Sequence, residues 1–335
     1  MHLVTSRLAS IPSAPSLEVL QLYHYGEEDE EEYDHFKPAH LRDPFPVLFS
    51  GQAPKLTHIA LWGVHIAWSD TKNTFLRNLK DLELAYHAED VRPSWEDFRN
   101  ILVASPGLDT LSLCLSGPNG MPSKWHSEGL IELAGLKNLV LAYHTPPYIS
   151  SLIQHFHMPN VTSLSLDFES DDFSAFAAQL ATPRPGSTKS LLRGLEHLKI
   201  SGLPCGQGTV DIMYEQLGNL RSINLKMNED YLDKVFFEKL GRPITSSSTT
   251  TPVAFYCPNL DTLTTSGISG LAMRIFVDGR ERAGFPVKRV FMSEDDDVDI
   301  NDEVWLRDRL ETFELYEPSD EETDVEMDDD GMDVD

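Results

Sequence analysis

One six-residue pattern constrains the fold of this chain more than any other feature. It reads Leu-x-x-Leu-x-Leu, with Val, Ile, Met, Phe or Thr sometimes in place of leucine, and it recurs eleven times. The copies begin at Leu17, Leu56, Leu79, Leu108, Leu136, Val161, Leu195, Leu220, Leu260, Val287 and Leu310. The last two apolar positions of each copy lie two residues apart, so they share one face of an extended segment. Five copies follow a Pro-x pair: Pro15-Ser16, Pro54-Lys55, Pro106-Gly107, Pro159-Asn160 and Pro258-Asn259. Proline cannot continue a helix, so each pair marks the turn from a returning segment into a strand.

Between hexads the chain has room to return, and several linkers carry helical spacing. Ser94-Trp95-Glu96-Asp97 resembles a capping box, with Trp95, Phe98, Ile101 and Leu102 on one face behind it. Phe173, Phe176, Ala177 and Leu180 follow the acidic pair Asp171-Asp172, which reads as a helix N-terminus. Tyr231, Leu232, Val235, Phe236 and Leu240 precede Gly241, a sensible C-cap, and Leu271, Ile275 and Phe276 suggest one more amphipathic segment. Strand, helix and strand in repetition give a parallel sheet with right-handed crossovers. Most hexads recur at or near the roughly 20–29 residues of a leucine-rich repeat. The expected fold class is therefore α/β: an irregular leucine-rich-repeat solenoid over residues 1–316. Parallel strands would lie on its concave face, helices and loops on its convex face, and a disordered acidic tail would follow at 317–335. The longest gaps hold an acidic insertion at 26–35, TPRPGSTKS at 182–190 and a Ser/Thr-rich insertion at 242–252. A strict repeat carries Asn or Cys eight residues after its first leucine, where the side chain bonds the turning backbone. Here only Asn228 fills that place, against Tyr25, Val64, His87, Glu169 or Pro318 elsewhere, so other groups must satisfy the turn.

The net charge of −27 is unevenly spread. Residues 27–34 carry seven acids, and residues 294–335 carry 21 acids and two bases, which leaves 26 acids against 25 bases elsewhere. Duplex DNA and anionic membrane are poor partners for those segments, and basic protein surfaces are good ones. No apolar run approaches the roughly 18–20 residues of a membrane-spanning helix, so no membrane association is expected. The N-terminal residues make a poor secretory signal. Cys114, Cys205 and Cys257 are far apart and form no CxxC, which argues against a disulfide framework or zinc site and for a reducing, cytoplasmic or nuclear, compartment. Nucleophile-elbow, zinc-protease and phosphate-loop motifs are missing from the sequence. No enzymatic activity and no cofactor are expected. Tyr86-His87 and Tyr143-His144 echo each other, but two repeats set them about twice the ~4.8 Å strand spacing apart, too far for one ion, so no metal is expected either.

The Pro-x-Leu-x-x-Leu-x-Leu rhythm resembles the leucine-rich-repeat region of fungal F-box-like proteins. The block GLAMRIFVDGRERAGFPVKRVFMSEDDD at 270–297, followed by LETFELYEPSDEE at 310–322, resembles a recurrent finish of those chains. The resemblance covers most of residues 15–322. It implies the substrate-recognition half of a cullin-type ubiquitin-ligase receptor, in which an F-box binds the ligase adaptor and the repeats bind the target. The residues before Leu17 match no F-box, whose opening resembles Leu-Pro-x-Glu, so adaptor contact is expected only if an F-box lies upstream.

Candidate binding residues follow from the hexad. Its polar slots should line one sheet face, bringing His58, Glu83, Ser112, Ser165, Lys199 and Asn224 together. Tyr23, Trp62, Tyr86, Tyr143 and Phe168 sit one or two residues past their hexads and should form an aromatic ladder along one edge, where they would anchor a partner. Arg274, Arg280, Arg282, Lys288 and Arg289 form a basic cluster onto which the acidic tail could fold. Ser293, Ser319 and Thr323 precede acidic residues, a context that acidophilic kinases favour, and phosphate there would deepen the negative charge. The function expected is non-catalytic protein binding, with the target's identity open. The alternative is an acidic-tailed repeat scaffold or chaperone for basic proteins such as histones, independent of any ligase.

Overall fold

A computed structural model describes residues 7–24, 47–69, 74–125, 129–184, 188–226, 234–244 and 254–317. Within them all eleven hexads form strands, and each strand starts at the third residue of its hexad. They are β1 Val19–Tyr23, β2 His58–Trp62, β3 Asp81–Ala85, β4 Thr110–Cys114, β6 Asn138–Ala142, β8 Ser163–Asp167, β9 His197–Gly202, β10 Ser222–Lys226, β11 Thr262–Ser266, β12 Arg289–Ser293 and β13 Thr312–Tyr316. These make one sheet in chain order, every neighbouring pair parallel. Two short strands that the hexad does not mark, β5 Ile131–Glu132 and β7 Phe156–His157, pair in parallel beside it.

Register follows the repeat. Third residues face third residues, as in Val19↔His58 and His58↔Asp81, and fifth residues face fifth, as in Glu83↔Ser112. The one irregularity falls between β8 and β9, where Asp167 pairs with Gly202. A Cβ at Gly202 would lie 2.1 Å from the Phe168 carbonyl oxygen, so only glycine permits that approach. The Pro-x pairs sit in turns as the sequence implies, closed by bonds such as Leu56 N to Ala53 O at 3.1 Å and Leu108 N to Ser105 O at 3.0 Å.

Besides a short helical segment at 7–10, the described residues form α1 Trp95–Val103, α2 Pro146–Gln154, α3 Ser174–Ala181, α4 Gln207–Gln216, α5 Lys234–Leu240, α6 Gly270–Arg282 and α7 Ile300–Arg309. Their starts are capped as the local sequence allows. The Ser94 hydroxyl accepts from Asp97 N at 3.1 Å, Asp172 from Ser174 N at 2.9 Å, and Asp299 from Asn301 N and Asp302 N at 2.7 and 2.8 Å. Helix α1 buries Trp95, Phe98, Ile101 and Leu102, the face its spacing marks. Helix α6 corrects the sequence reading. It buries Met273, Phe276, Val277 and Arg280, while Leu271 and Ile275 lie on its outer side at 59% and 66% exposure. The i, i+3, i+4, i+7 stripe toward the sheet runs through Met273, and the Leu271–Ile275 pair falls outside it.

The first, fourth and sixth hexad residues, the buried polar Thr265 excepted, pack with the helical faces into one continuous core. Each buried leucine contributes about 1.5–3 kcal/mol. Hexad positions three and five stay at least partly exposed, Ala60 excepted. One face of the sheet is thus covered and the other open. The turn position that lacks asparagine is filled by other polar groups. His87 Nε2–H donates to the Val64 carbonyl at 3.1 Å, and its Nδ1 accepts from the Ser116 hydroxyl at 2.9 Å. The carbonyl can only accept, which decides the tautomer. His144 Nε2–H donates to the Leu113 carbonyl at 3.2 Å.

The acidic insertion 26–35, residues 245–252 of the Ser/Thr-rich insertion, Asn228, and the tail beyond Glu317 lie outside the described residues. Among those described, no helix is long and apolar enough to cross a membrane.

Candidate functional site

Strand register gathers the polar hexad slots into rows across the open face. The fifth-position row runs Gln21, Ala60, Glu83, Ser112, Val140, Ser165, Lys199 and Asn224. Five of the candidate residues therefore share a line. His58 lies in the adjacent third-position row, where its Nε2 meets Asp81 Oδ2 at 2.6 Å.

At the carboxyl ends of β1–β3 three candidate aromatics meet. Tyr23 packs edge-on against Trp62, centroids 5.1 Å apart and planes at 82°. Trp62 packs against Tyr86, at 5.7 Å and 61°. Trp62 Nε1–H donates to Glu83 Oε1 at 2.9 Å, tying the aromatic row to the polar row. Burial raises the Glu83 carboxyl above its usual range, and the Trp62 donor pulls it partly back. Tyr86 also bonds the Cys114 thiol, which burial pushes up to about 11, so the thiol stays protonated and unreactive.

Backbone conformation decides which aromatics join the row. The residue after each of β2, β3, β4 and β6 turns left-handed: Gly63 at φ 60°, Tyr86 at 52°, Leu115 at 46° and Tyr143 at 55°. That turn breaks strand alternation and keeps the Tyr86 ring beside Trp62. Tyr143 has the same turn but stands two strands along, beyond Leu115, about 10 Å from the Tyr86 position. Phe168 corrects the expected ladder. It keeps a negative φ next to the irregular β8–β9 pairing, so alternation carries its ring inward. There it is 2% exposed and stacks on Phe173 with centroids 4.4 Å apart.

The proposed tail-docking cluster is differently employed. Arg280 is fully buried and corrects that reading outright, because it cannot meet a surface tail. Arg274 pairs with Asp302 at 2.6 Å, Arg282 with Asp278 at 2.9 Å, Lys288 with Glu311 at 3.2 Å and Arg289 with Asp261 at 3.0 Å. Acids after residue 293 are partly structural as well. Asp296 accepts from Gly267 N and Ser293 N at 2.6 and 3.1 Å, and Asp299 caps α7. Ser293, read as a phosphorylation candidate, is 2% exposed with its hydroxyl accepting from Asp295 N, so a kinase could not reach it in the folded chain. Ser319 and Thr323 lie outside the described residues.

A shallow recess is lined by Trp68, Arg92, Ser94, Asp97 and Asn119, but Arg92 there bonds the His87 and Leu115 carbonyls at 2.8 and 2.9 Å. Ser94 and Asp97 cap α1. Among the described residues no three His, Cys, Asp or Glu side chains are placed to hold a metal ion. Two features escaped sequence reasoning: the Cys114 contact beneath Tyr86, and an outer apolar quartet of Leu271, Ile275, Ile300 and Val304 on α6 and α7. The quartet carries a signal, i, i+4 apolar pairs outside the buried stripe, whereas the Cys114 contact depends on strand register. Compared with known proteins, the chain matches no protein-family model and none of the curated proteins.

Proposed function

We propose that this chain is a leucine-rich-repeat solenoid that binds a protein target on its open sheet face and performs no catalysis. The observation that carries the reading is the Tyr23–Trp62–Tyr86 row joined through Glu83 to a mostly polar row of side chains in register, interrupted by Ala60 and Val140. Rigid aromatic rings bury large areas at small entropic cost, and polar neighbours in fixed register supply directional contacts. We favour the target-recognition part of an F-box ubiquitin-ligase receptor, with adaptor contact only if an F-box lies upstream.

A photo-crosslinking residue placed at Ser112 tests this. Crosslinks from Ser112, with none from the same group placed at Ile275 on the helix side, are expected. Trp62→Ala should then weaken the captured partner about tenfold or more. Crosslinks confined to Ile275, or full affinity in Trp62→Ala, would sink the reading.

The acidic segments support a second reading, a scaffold or chaperone for basic proteins such as histones. Together residues 27–34 and 294–335 hold 28 of the 54 acids. Binding by that route should collapse between low and physiological salt, whereas open-face binding should weaken far less.

A further inference from the structure

We infer that the Tyr23–Trp62–Tyr86 row and the Glu83 carboxylate together receive an arginine side chain from the protein partner. The inference rests on the open-face reading and names the chemistry of its anchor. Three observations carry it.

First, the site is lopsided in charge. The six strands from β1 to β8 in the main sheet carry Asp81, Glu83 and Asp167 but neither lysine nor arginine. Second, no cation among the described residues pairs with Glu83. Its partners across the sheet are Ala60 and Ser112, its hydrogen bond comes from the neutral Trp62 indole, and Asp81 engages the nearby His58. Among the described residues none of the ion pairs includes Glu83. A half-buried carboxylate in that position gains from an incoming donor, because desolvation has removed the water that would otherwise compensate it. Third, the rings beside it are turned against each other at 82° and 61° rather than stacked, and Tyr23 and Tyr86 are each 39% exposed. A guanidinium can lie over an aromatic ring while its fork donates to the carboxylate. Arginine meets both demands with one planar group. A lysine ammonium can satisfy the carboxylate but stacks less well, and an acidic or apolar side chain meets neither demand.

A displayed library of random linear peptides, selected against the full chain, tests the inference. Enriched peptides should share an arginine. Replacing it with citrulline, which keeps the shape and removes the charge, should weaken binding about tenfold or more, and replacement with lysine should weaken it less. Glu83→Gln should produce a loss similar to citrulline. It still accepts the Trp62 N–H through its amide oxygen, so the fold and the aromatic row are retained. Peptides that need Trp62 but ignore both Glu83→Gln and the citrulline exchange would overturn the arginine and leave open-face binding standing. Failure to enrich any peptide, or peptides indifferent to Trp62→Ala, Glu83→Gln and Asn224→Ala alike, would overturn both.

Discussion

Arg280 shows how a residue that reads as surface charge becomes part of the core. Its guanidinium donates to the carbonyls of Phe285, Leu240, Tyr256 and Cys257 at 2.9–3.2 Å, between the rings of Phe255 and Phe276. It thereby joins the end of α5, the turn before β11 and the end of α6. Replacing it leaves those acceptors without a donor in a dry site. Arg280→Met should lower the free energy of unfolding by about 3–5 kcal/mol, read from the urea midpoint at constant slope. A change below about 0.5 kcal/mol would mean the carbonyls find other donors and Arg280 is not a lock. Sequence could not separate this arginine from its neighbours. Arg282, two residues on, is exposed and pairs within its own helix. Only the helical stripe through Met273 and Val277, seen once the sheet is in place, assigns Arg280 inward. Phe168 and Tyr86 teach the same lesson, because both stand two residues past a hexad. One is buried and the other half exposed, since a left-handed backbone at Tyr86 and a pairing irregularity at Phe168 send equal spacings to opposite faces.

At the scale of elements the hexad was fully legible, because a period of two and a preceding turn are local properties. The connections were less so. Between β2 and β3 no α-helix is described, and β5 and β7 arise where the hexad does not occur. The turn after the strand was legible only as a demand, which His87, Ser116 and His144 meet. That solution has a pH consequence. Burial lowers His87 from its usual 6.5 to about 4 and His144 to about 3. Folded pKa values below the unfolded one mean that the unfolded chain takes up protons first as pH falls. Stability is therefore full above about pH 6.5 and declines as pH drops toward 4. From pH 7.5 to 5.0 each histidine should cost about 2 kcal/mol. The double variant His87→Gln, His144→Gln keeps a donor toward Val64 and Leu113 but cannot titrate. Its stability should be nearly flat over that interval where the parent falls, and equal slopes would show that these histidines are not the acid-sensitive groups.

Across the whole molecule, main-sheet strands pair only with their neighbours in chain order, and the helices that pack on one another are likewise successive: α2 with α3, α3 with α4, α4 with α5, and α6 with α7. No described pairing brings β1 toward β13. Stability in such an arrangement is a sum of unit and neighbour terms, so damage should stay near where it is made. Leu139 in β6 is 1% exposed and shares the core with Leu111 and Leu164 on the flanking strands. Leu139→Ala should cost about 2–5 kcal/mol locally. In native-state hydrogen exchange the amides of β4, β6 and β8 should lose protection, while β12 and β13 keep theirs. Even in the parent, β1 and β13 should exchange fastest, each having a strand on one side only. A closed globule with one cooperative core would behave otherwise, since its most protected amides all report the same global opening. Uniform loss of protection across the eleven strands after Leu139→Ala would therefore overturn the neighbour-only account. It would also remove the physical basis for treating the open face as a row of separately presented side chains.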